Sequence, residues 1–249
     1  MSPLLGRIEA VQGGAGLGRQ RAERVAAALA PLPEVAAKRK PAERGQARAS
    51  TTDPEARVMK MAGGGFRPAF NGQFATDCAS QVIEGVEVVK VGSDQGLMAP
   101  MLEQVTRPCG RAPEAWLADS GFAERADIEA AAAAGVTVYT PVQEPKDASR
   151  DPYQELPEDS PARAEWRVRM GTEEAKVIYK DRAGSAECVN AMARNRGLRQ
   201  FGVRGLPKVR AVLLWYAVAH HLMRMVALAA RRERRQIGAG RQTQVRRCG

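Results

Sequence analysis

Between Phe70 and Val142 the chain alternates strand-length apolar runs with helical stretches, and this alternation constrains the fold more than any other feature. Phe70–Thr76 (FNGQFAT) reads as a strand. Val82–Val91 (VIEGVEVVKV) sets Val82, Val86, Val88 and Val91 among polar neighbours, the period-two pattern of a half-buried strand. Asp94-Gln-Gly breaks it, and Leu97–Thr106 reads as a helix. Ala115–Ala118 is a short apolar strand ending at Asp119, where Ser120-Gly121 turns the chain. Ala123–Ala134 is an Ala-rich helix closed by Gly135, a C-terminal capping signal, and Val136–Val142 (VTVYTPV) is a further strand. The order predicts an α/β chain with a mixed sheet whose first two strands pair antiparallel.

The flanks differ in texture. Residues 1–60 read as a basic leader and linker, partly disordered, with a short helix over Ala22–Leu32 and a Pro- and Gly-broken basic stretch at Lys38–Arg48. GGAGLG at Gly13–Gly18 has no apolar strand before it and no Lys-Ser or Lys-Thr after it, so a phosphate loop is not indicated. Residues 143–170 are polar and hold four prolines, which predicts a long loop or insertion. Thr172-Glu-Glu opens a long helix running to about Arg196, with Thr172 as N-cap and acids in the first turn. A last helix is expected from about Pro207 to Arg235, followed by a disordered basic tail to Gly249. The predicted organisation is a leader over 1–60, a catalytic domain over 61–230 carrying the polar insertion, and a tail over 231–249.

Composition narrows the partners. The 249 residues are 44% hydrophobic and 27% charged, which excludes collagen, a disulfide scaffold and wholesale disorder. The net charge of +10 favours a polyanion such as nucleic acid. It is unevenly spread: residues 1–60 carry +5, residues 61–194 carry −7 and residues 195–249 carry +12. Basic ends suit phosphates, and a carboxylate-rich middle suits metal. Cys78, Cys109, Cys188 and Cys248 form no CxxC pair, so neither a zinc site nor a disulfide framework is indicated, and a reducing cytoplasm fits. The N-terminus lacks the pattern of a signal peptide. Ala211–Ala230 is apolar but holds His220, His221 and Arg224, so it reads as a buried or amphipathic helix rather than a membrane span.

Two carboxylates stand out by position. Asp119 lies at the carboxyl end of a strand, where α/β sheets place their sites. Glu187 lies mid-helix, with Tyr179, Arg182 and Arg194 around it. On a regular helix Glu187 and Arg194 share a face, and Tyr179 and Arg182 share one a turn or two earlier. Acids and cations so placed suit metal-assisted phosphoryl chemistry on a DNA backbone. Patterning alone leaves open a second reading, in which Asp119 caps the next turn and Glu187 belongs to a solvated helix face. His220 and His221 read as packing residues, and Trp116, Trp166 and Trp215 as core.

Several segments together resemble a known family. They are STTDPEARVMKMAGGGFRPAFNGQFAT at Ser50–Thr76, GSDQGLMAPMLEQV at Gly92–Val105, WLADSGF at Trp116–Phe122, GVTVYTPV at Gly135–Val142, and YKDRAGSAECVNAMARNRGLRQFGVRGLPKVRAVLLWYAVAHHLMR at Tyr179–Arg224. The chain resembles the DDE transposases of bacterial insertion sequences over about residues 50–230. The resemblance implies an RNase H-like catalytic domain in which Asp119 is the second catalytic Asp and Glu187 the catalytic Glu. Tyr179, Arg182 and Arg194 match the family's Tyr-Arg-Glu-Lys signature and are implied to contact DNA, Arg194 standing where Lys is usual. The implied cofactor is a pair of Mg²⁺ (or Mn²⁺) ions, held in part by Asp119 and Glu187. The implied partners are the DNA ends of the element and a second transposase copy; no membrane is implied.

One departure bears on activity. The family's first catalytic Asp precedes the Thr-Thr-Asp-Pro-Glu-Ala-Arg segment, which here begins at Thr51, and residues 1–49 contain no Asp. Asp53, Asp77 and Asp94 do not match that position. The expectation is therefore the C-terminal part of a longer transposase, lacking the first, central strand and weak or inactive alone. The alternative expectation is a non-catalytic DNA-binding remnant or regulator of an intact copy.

Overall fold

The computed structural model describes residues 17–61, 63–145, 147 and 149–245. Most of the GGAGLG stretch, Cys248 and the end of the basic tail lie outside the described residues. The chain divides into two units: residues 1–72, 88–92 and 201–211, and residues 73–87, 93–200 and 212–249.

In the first unit, helices α1 (Leu17–Leu29) and α2 (Leu32–Ala37) replace the single short helix predicted around residues 22–32, because Pro31 and Pro33 favour a new start. A 3-10 turn spans Pro41–Gln46. Strands β1 (Arg57–Lys60) and β2 (Phe66–Ala69), unforeseen in the sequence, form an antiparallel ladder pairing Arg57 with Ala69 and Lys60 with Phe66. Their pattern is too exposed to announce itself, and Pro68 hides the second strand.

The Thr-Thr-Asp-Pro-Glu-Ala-Arg segment has a structural task. Asp53 accepts a hydrogen bond from the Gly205 amide at 2.9 Å, and Glu55 accepts one from the Leu206 amide at 2.8 Å. These two donors open the long last helix, so the carboxylates satisfy N–H groups that a helix start leaves without intrahelical acceptors. Lys90 binds Glu55 at 2.8 Å, and the Lys90 and Leu206 bonds hold the Glu55 carboxyl below its ordinary range.

In the second unit the predicted α/β order is observed. Strands β3 (Asn71–Thr76) and β4 (Ile83–Val89), which begin and end at the boundary with the first unit, pair with each other. Helix α3 (Met98–Cys109) buries Met98, Met101, Leu102 and Val105. Strands β5 (Ala115–Leu117) and β6 (Thr137–Tyr139) pair in parallel, joined through α4 (Arg125–Ala133). The core holds Met98, Leu102, Ile128, Ala131, Val136, Val138, Trp166, Met170 and Ala175. Among the described residues the ladders are three separate pairs, β1–β2, β3–β4 and β5–β6, in place of one mixed sheet.

Three further differences follow from packing. Residues 161–170, expected within a polar loop, form α5 (Pro161–Met170), which buries Trp166 and Met170 in the core. Ser160-Pro161 is a helix start, but the many charges mask the periodicity. The preceding loop is tied to α5 by Asp159, whose side chain is fully buried and binds Arg167 at 2.8 Å and Arg163 at 3.1 Å. The helix predicted from Thr172 to Arg196 is divided into α6 (Glu173–Arg182), a π-helical turn at Ala183–Glu187, and α7 (Cys188–Asn195). Finally, α8 runs from Leu206 to Val245, ten residues past the expected end, so the first part of the tail is helical.

Helix α8 is apolar enough over Leu206–Arg232 to pass as a membrane span by length and composition alone. Its inner side in the second unit is otherwise occupied. Leu213, Ala217 and His220 are buried; His220 and His221 donate from Nε2 to the carbonyls of Gln81 and Ile83 at 2.8 Å, and Arg224 donates to that of Ser80 at 2.8 Å. The histidines are therefore packing residues, as expected. Trp166 is core, Trp116 is half-buried, and Trp215, expected in the core, is 74% exposed because it lies on the opposite side of α8.

Candidate active site

Asp119 follows β5, and its backbone is fixed on both sides. The Ala118 amide donates to the Tyr139 carbonyl at 3.0 Å, and the buried Thr140 hydroxyl donates to the Asp119 carbonyl at 2.6 Å. Trp166 Nε1 donates to the Thr140 carbonyl at 3.1 Å, which ties this strand end to α5. The Asp119 side chain caps the next turn, as one of the two readings expected, and also makes an ion pair. Oδ1 accepts from the Gly121 amide at 2.9 Å and caps the Ser120–Phe122 turn. Oδ2 faces away and meets Arg182 Nη2 at 3.3 Å.

Arg182 ends α6, and its other nitrogen, Nη1, lies 3.6 Å from Glu187 Oε1. One guanidinium thus stands between the two carboxylates. The π turn makes this possible. Five residues of regular α-helix would set Glu187 about 140° around the axis from Arg182. A π turn, with its i→i+5 hydrogen bonds, stacks residues five apart on one side. The wide turn is held from within and without: buried Ser185 donates to the carbonyls of Asp181 and Arg182 at 3.0 and 3.3 Å, and Gln81 Nε2 donates to the Gly184 carbonyl at 2.9 Å.

Tyr179 lies one turn before Arg182, half-buried against the core. Burial pushes its phenol above the ordinary value; Arg182 opposes this, and the charges of Asp119 and Glu187 add to it. Tyr179, Arg182, Asp119 and Glu187 are therefore one electrostatic group. Arg194 lies exposed in the last turn of α7, on the side that carries Glu187 and about 10 Å farther along the axis. It extends the group as a flank rather than joining its centre.

Asp94, which sequence patterning marks only as a strand break, is brought by the structure to this place. Gln73 Nε2 donates to Asp94 Oδ1 at 2.8 Å. A Cβ at Gly121 would stand 3.0 Å from Asp119 Oδ1 and 3.4 Å from Asp94 Oδ2, so both carboxylates converge over that glycine and a larger residue would crowd them. The loop bearing Asp94 is pinned from α4: buried Asp127 accepts from the amides of Gly96 and Ala99, each at 3.0 Å. The sequence signal was available in the Asp-Gln-Gly break, but it reads as a turn.

The carboxylate oxygens fit Mg²⁺ or Mn²⁺ in kind, since both ions take hard oxygen ligands and keep several waters. Asp119 and Glu187 both lie against the one Arg182 guanidinium, through its two terminal nitrogens. Among the described residues no three His, Cys, Asp or Glu side chains are grouped closely enough to hold an ion by themselves.

The model of a protein family described as "Transposase DDE domain" matches residues 148–226. This segment is similar to part of a transposase DDE domain. It contains Tyr179, Arg182, Glu187 and Arg194, while Asp119 is brought to it by the fold. DDE domains generally use divalent metal ions, and their partner is DNA. No curated protein and no solved structure matches the chain.

Proposed function

We propose that this chain acts in the transposition of an insertion sequence, binding its DNA ends and contributing to metal-dependent cleavage and strand transfer. The observation that carries the reading is the meeting of Asp119 and Glu187 around Arg182, which lies 63 residues from Asp119 in sequence. Residues 61–230 form the catalytic domain, with an RNase H-like arrangement of the β3–β4 and β5–β6 ladders. Asp119 and Glu187 would hold Mg²⁺ or Mn²⁺, two ions in an intact site, with Asp94 beside them. Bound there, such an ion would supply Lewis-acid stabilisation of phosphoryl transfer.

The chain's own groups do the rest. Arg182 offers a planar fork that matches a phosphate bidentately, and Arg194 extends the contact along the backbone. Tyr179 stays a neutral phenol and so donates a hydrogen bond to a phosphate oxygen without repelling it. The basic C-terminal run adds sequence-independent affinity. The site works in the cytoplasm.

A second copy completes the assembly. Leu214, Trp215, Val218, Leu222, Met225 and Val226 of α8 are exposed, on the side away from His220 and Arg224. Steps of three and four residues connect Trp215, Val218, Leu222 and Met225, the seam spacing of paired helices.

The deciding experiment is cleavage of DNA bearing the element's ends in Mg²⁺ or Mn²⁺, with Asp119→Ala and Glu187→Ala as controls. Cleavage lost in both variants supports the catalytic reading. No cleavage, with salt-sensitive DNA binding retained, replaces it with a DNA-binding regulator of an intact transposase.

A further inference from the structure

Arg182 is the centre of the carboxylate group, and its position has a consequence for the order in which ligands bind. Its guanidinium contacts Asp119 at 3.3 Å and Glu187 at 3.6 Å, and its side chain is 22% exposed while those of Asp119 and Glu187 are 44% and 64% exposed. The cation is thus less exposed than the two acids it joins, yet within reach of solvent. A divalent ion held by Asp119 and Glu187 would compete with the guanidinium for the same carboxylates, and two cations so close would repel. The same guanidinium is the strongest phosphate-binding group of the cluster. It cannot give both faces of its fork to the carboxylates and to a phosphate at once.

We propose that Arg182 is a built-in counterion that couples metal binding to DNA binding: it holds Asp119 and Glu187 together in the free protein, and a DNA phosphate draws it away and opens both carboxylates to a divalent ion. The inference rests on the reading of the site given above. Its logic is competitive. The Arg182 ion pairs stabilise the empty pair of acids and so weaken the ion's affinity. A phosphate removes the competitor. By linkage the effect is reciprocal, so the ion strengthens DNA binding by the same factor. The π turn supplies the means, since Arg182 and Glu187 sit at its two ends and a shift of that turn separates them.

The test uses the full chain, Mn²⁺ as the ion and a short duplex as the phosphate source. Free Mn²⁺ is followed by electron paramagnetic resonance and DNA binding by fluorescence anisotropy at constant ionic strength. Subtracting the signal of Asp119→Asn isolates binding at the site. In the wild type the duplex is expected to tighten Mn²⁺ about tenfold, and Mn²⁺ to tighten the duplex equally, within the usual range of coupling between sites. Arg182→Gln is expected to bind Mn²⁺ tightly without DNA and to show no coupling. Arg182→Lys, which keeps a charge but loses the fork, is expected to show reduced coupling and serves if the Gln variant does not fold.

Equal Mn²⁺ affinity of wild type and Arg182→Gln, unchanged by DNA, overturns the coupling while the Asp119-dependent binding leaves the site intact. Mn²⁺ binding that does not change in Asp119→Asn overturns the site itself, and the coupling with it.

Discussion

Arg182 and Glu187 meet at 3.6 Å although they lie five positions apart on one helical run, because a π turn lies between them. Restoring a regular helix should undo this. Gln81→Ala with Ser185→Ala removes the side-chain hydrogen bonds that hold the wide turn, and relaxation to α-helix at unchanged length turns Glu187 about 140° away from Arg182. Helical content by circular dichroism should stay the same, while Asp119-dependent Mn²⁺ binding should fall to the level of Glu187→Gln. Binding kept at the wild-type level would show that the turn does not position Glu187.

Asp127 should prove a structural residue despite its charge. It is 3% exposed and its two oxygens accept the amides of Gly96 and Ala99, which anchors both the start of α3 and the loop of Asp94. Asp127→Ala leaves those amides without their acceptor, at a cost of about 2–3 kcal/mol. For a chain of this size the melting temperature should fall by about 4–12 °C. An unchanged melting temperature would show that the loop is held by other contacts.

Acid should loosen the segment before α5. The Arg167 hydrogen bond holds the Asp159 carboxyl below its ordinary value against the opposing effect of burial, with the Leu156 amide adding to the lowering. The unfolded chain therefore takes up this proton at a higher pH than the folded one. The stabilisation is complete above the ordinary carboxylate range and is lost as pH falls through the lowered value. Urea denaturation at stepwise lower pH should show this loss, and Asp159→Asn should lower stability near neutrality while flattening the acid limb. A variant with the same acid limb as wild type would assign the effect to other carboxylates.

Much of the second unit was legible because its elements bury one face. Ile83, Val86 and Val88 mark β4, and Met98, Leu102 and Val105 mark α3, so alternation and helical spacing were written directly in the residues. Asp119 was legible as a strand end. What escaped notice depends on contacts distant in sequence. The π turn looks like ordinary helix until Gln81 and Ser185 take up its carbonyls, and Asp94 gains meaning only when Gly121 lets it approach Asp119. The β1–β2 hairpin carries little apolar signal, and α5 hides Trp166 and Met170 among charges.

Arg182 and Arg194 should contribute separately to DNA affinity. Each contact to a phosphate releases counterions, so removing one should lower the slope of log affinity against log salt by about 0.9. Arg194→Ala, exposed at the end of α7, should do this with no change in Mn²⁺ binding. Arg182→Ala should do it while also strengthening Mn²⁺ binding, since it removes the cation between Asp119 and Glu187. Salt titrations by anisotropy measure both, and an unaltered slope in either variant would remove that residue from the DNA contact.

The exposed side of α8 makes the last prediction. Trp215, Val218, Leu222 and Met225 present a seam without charge, and the only charged side chain between Val212 and Ala230, Arg224, is turned inward to the Ser80 carbonyl. Two copies can bring such seams together without electrostatic penalty despite the net charge of each chain. The basic run at Arg231–Arg235 favours an antiparallel pairing, which keeps the two runs at opposite ends. Leu222 is 59% exposed, so Leu222→Glu should leave the melting of the monomer near that of wild type. It should convert a dimer to a monomer in sedimentation velocity by placing like charges in the seam. A wild-type chain that sediments as a monomer at tens of micromolar, alone and with DNA, would remove the second copy from this face.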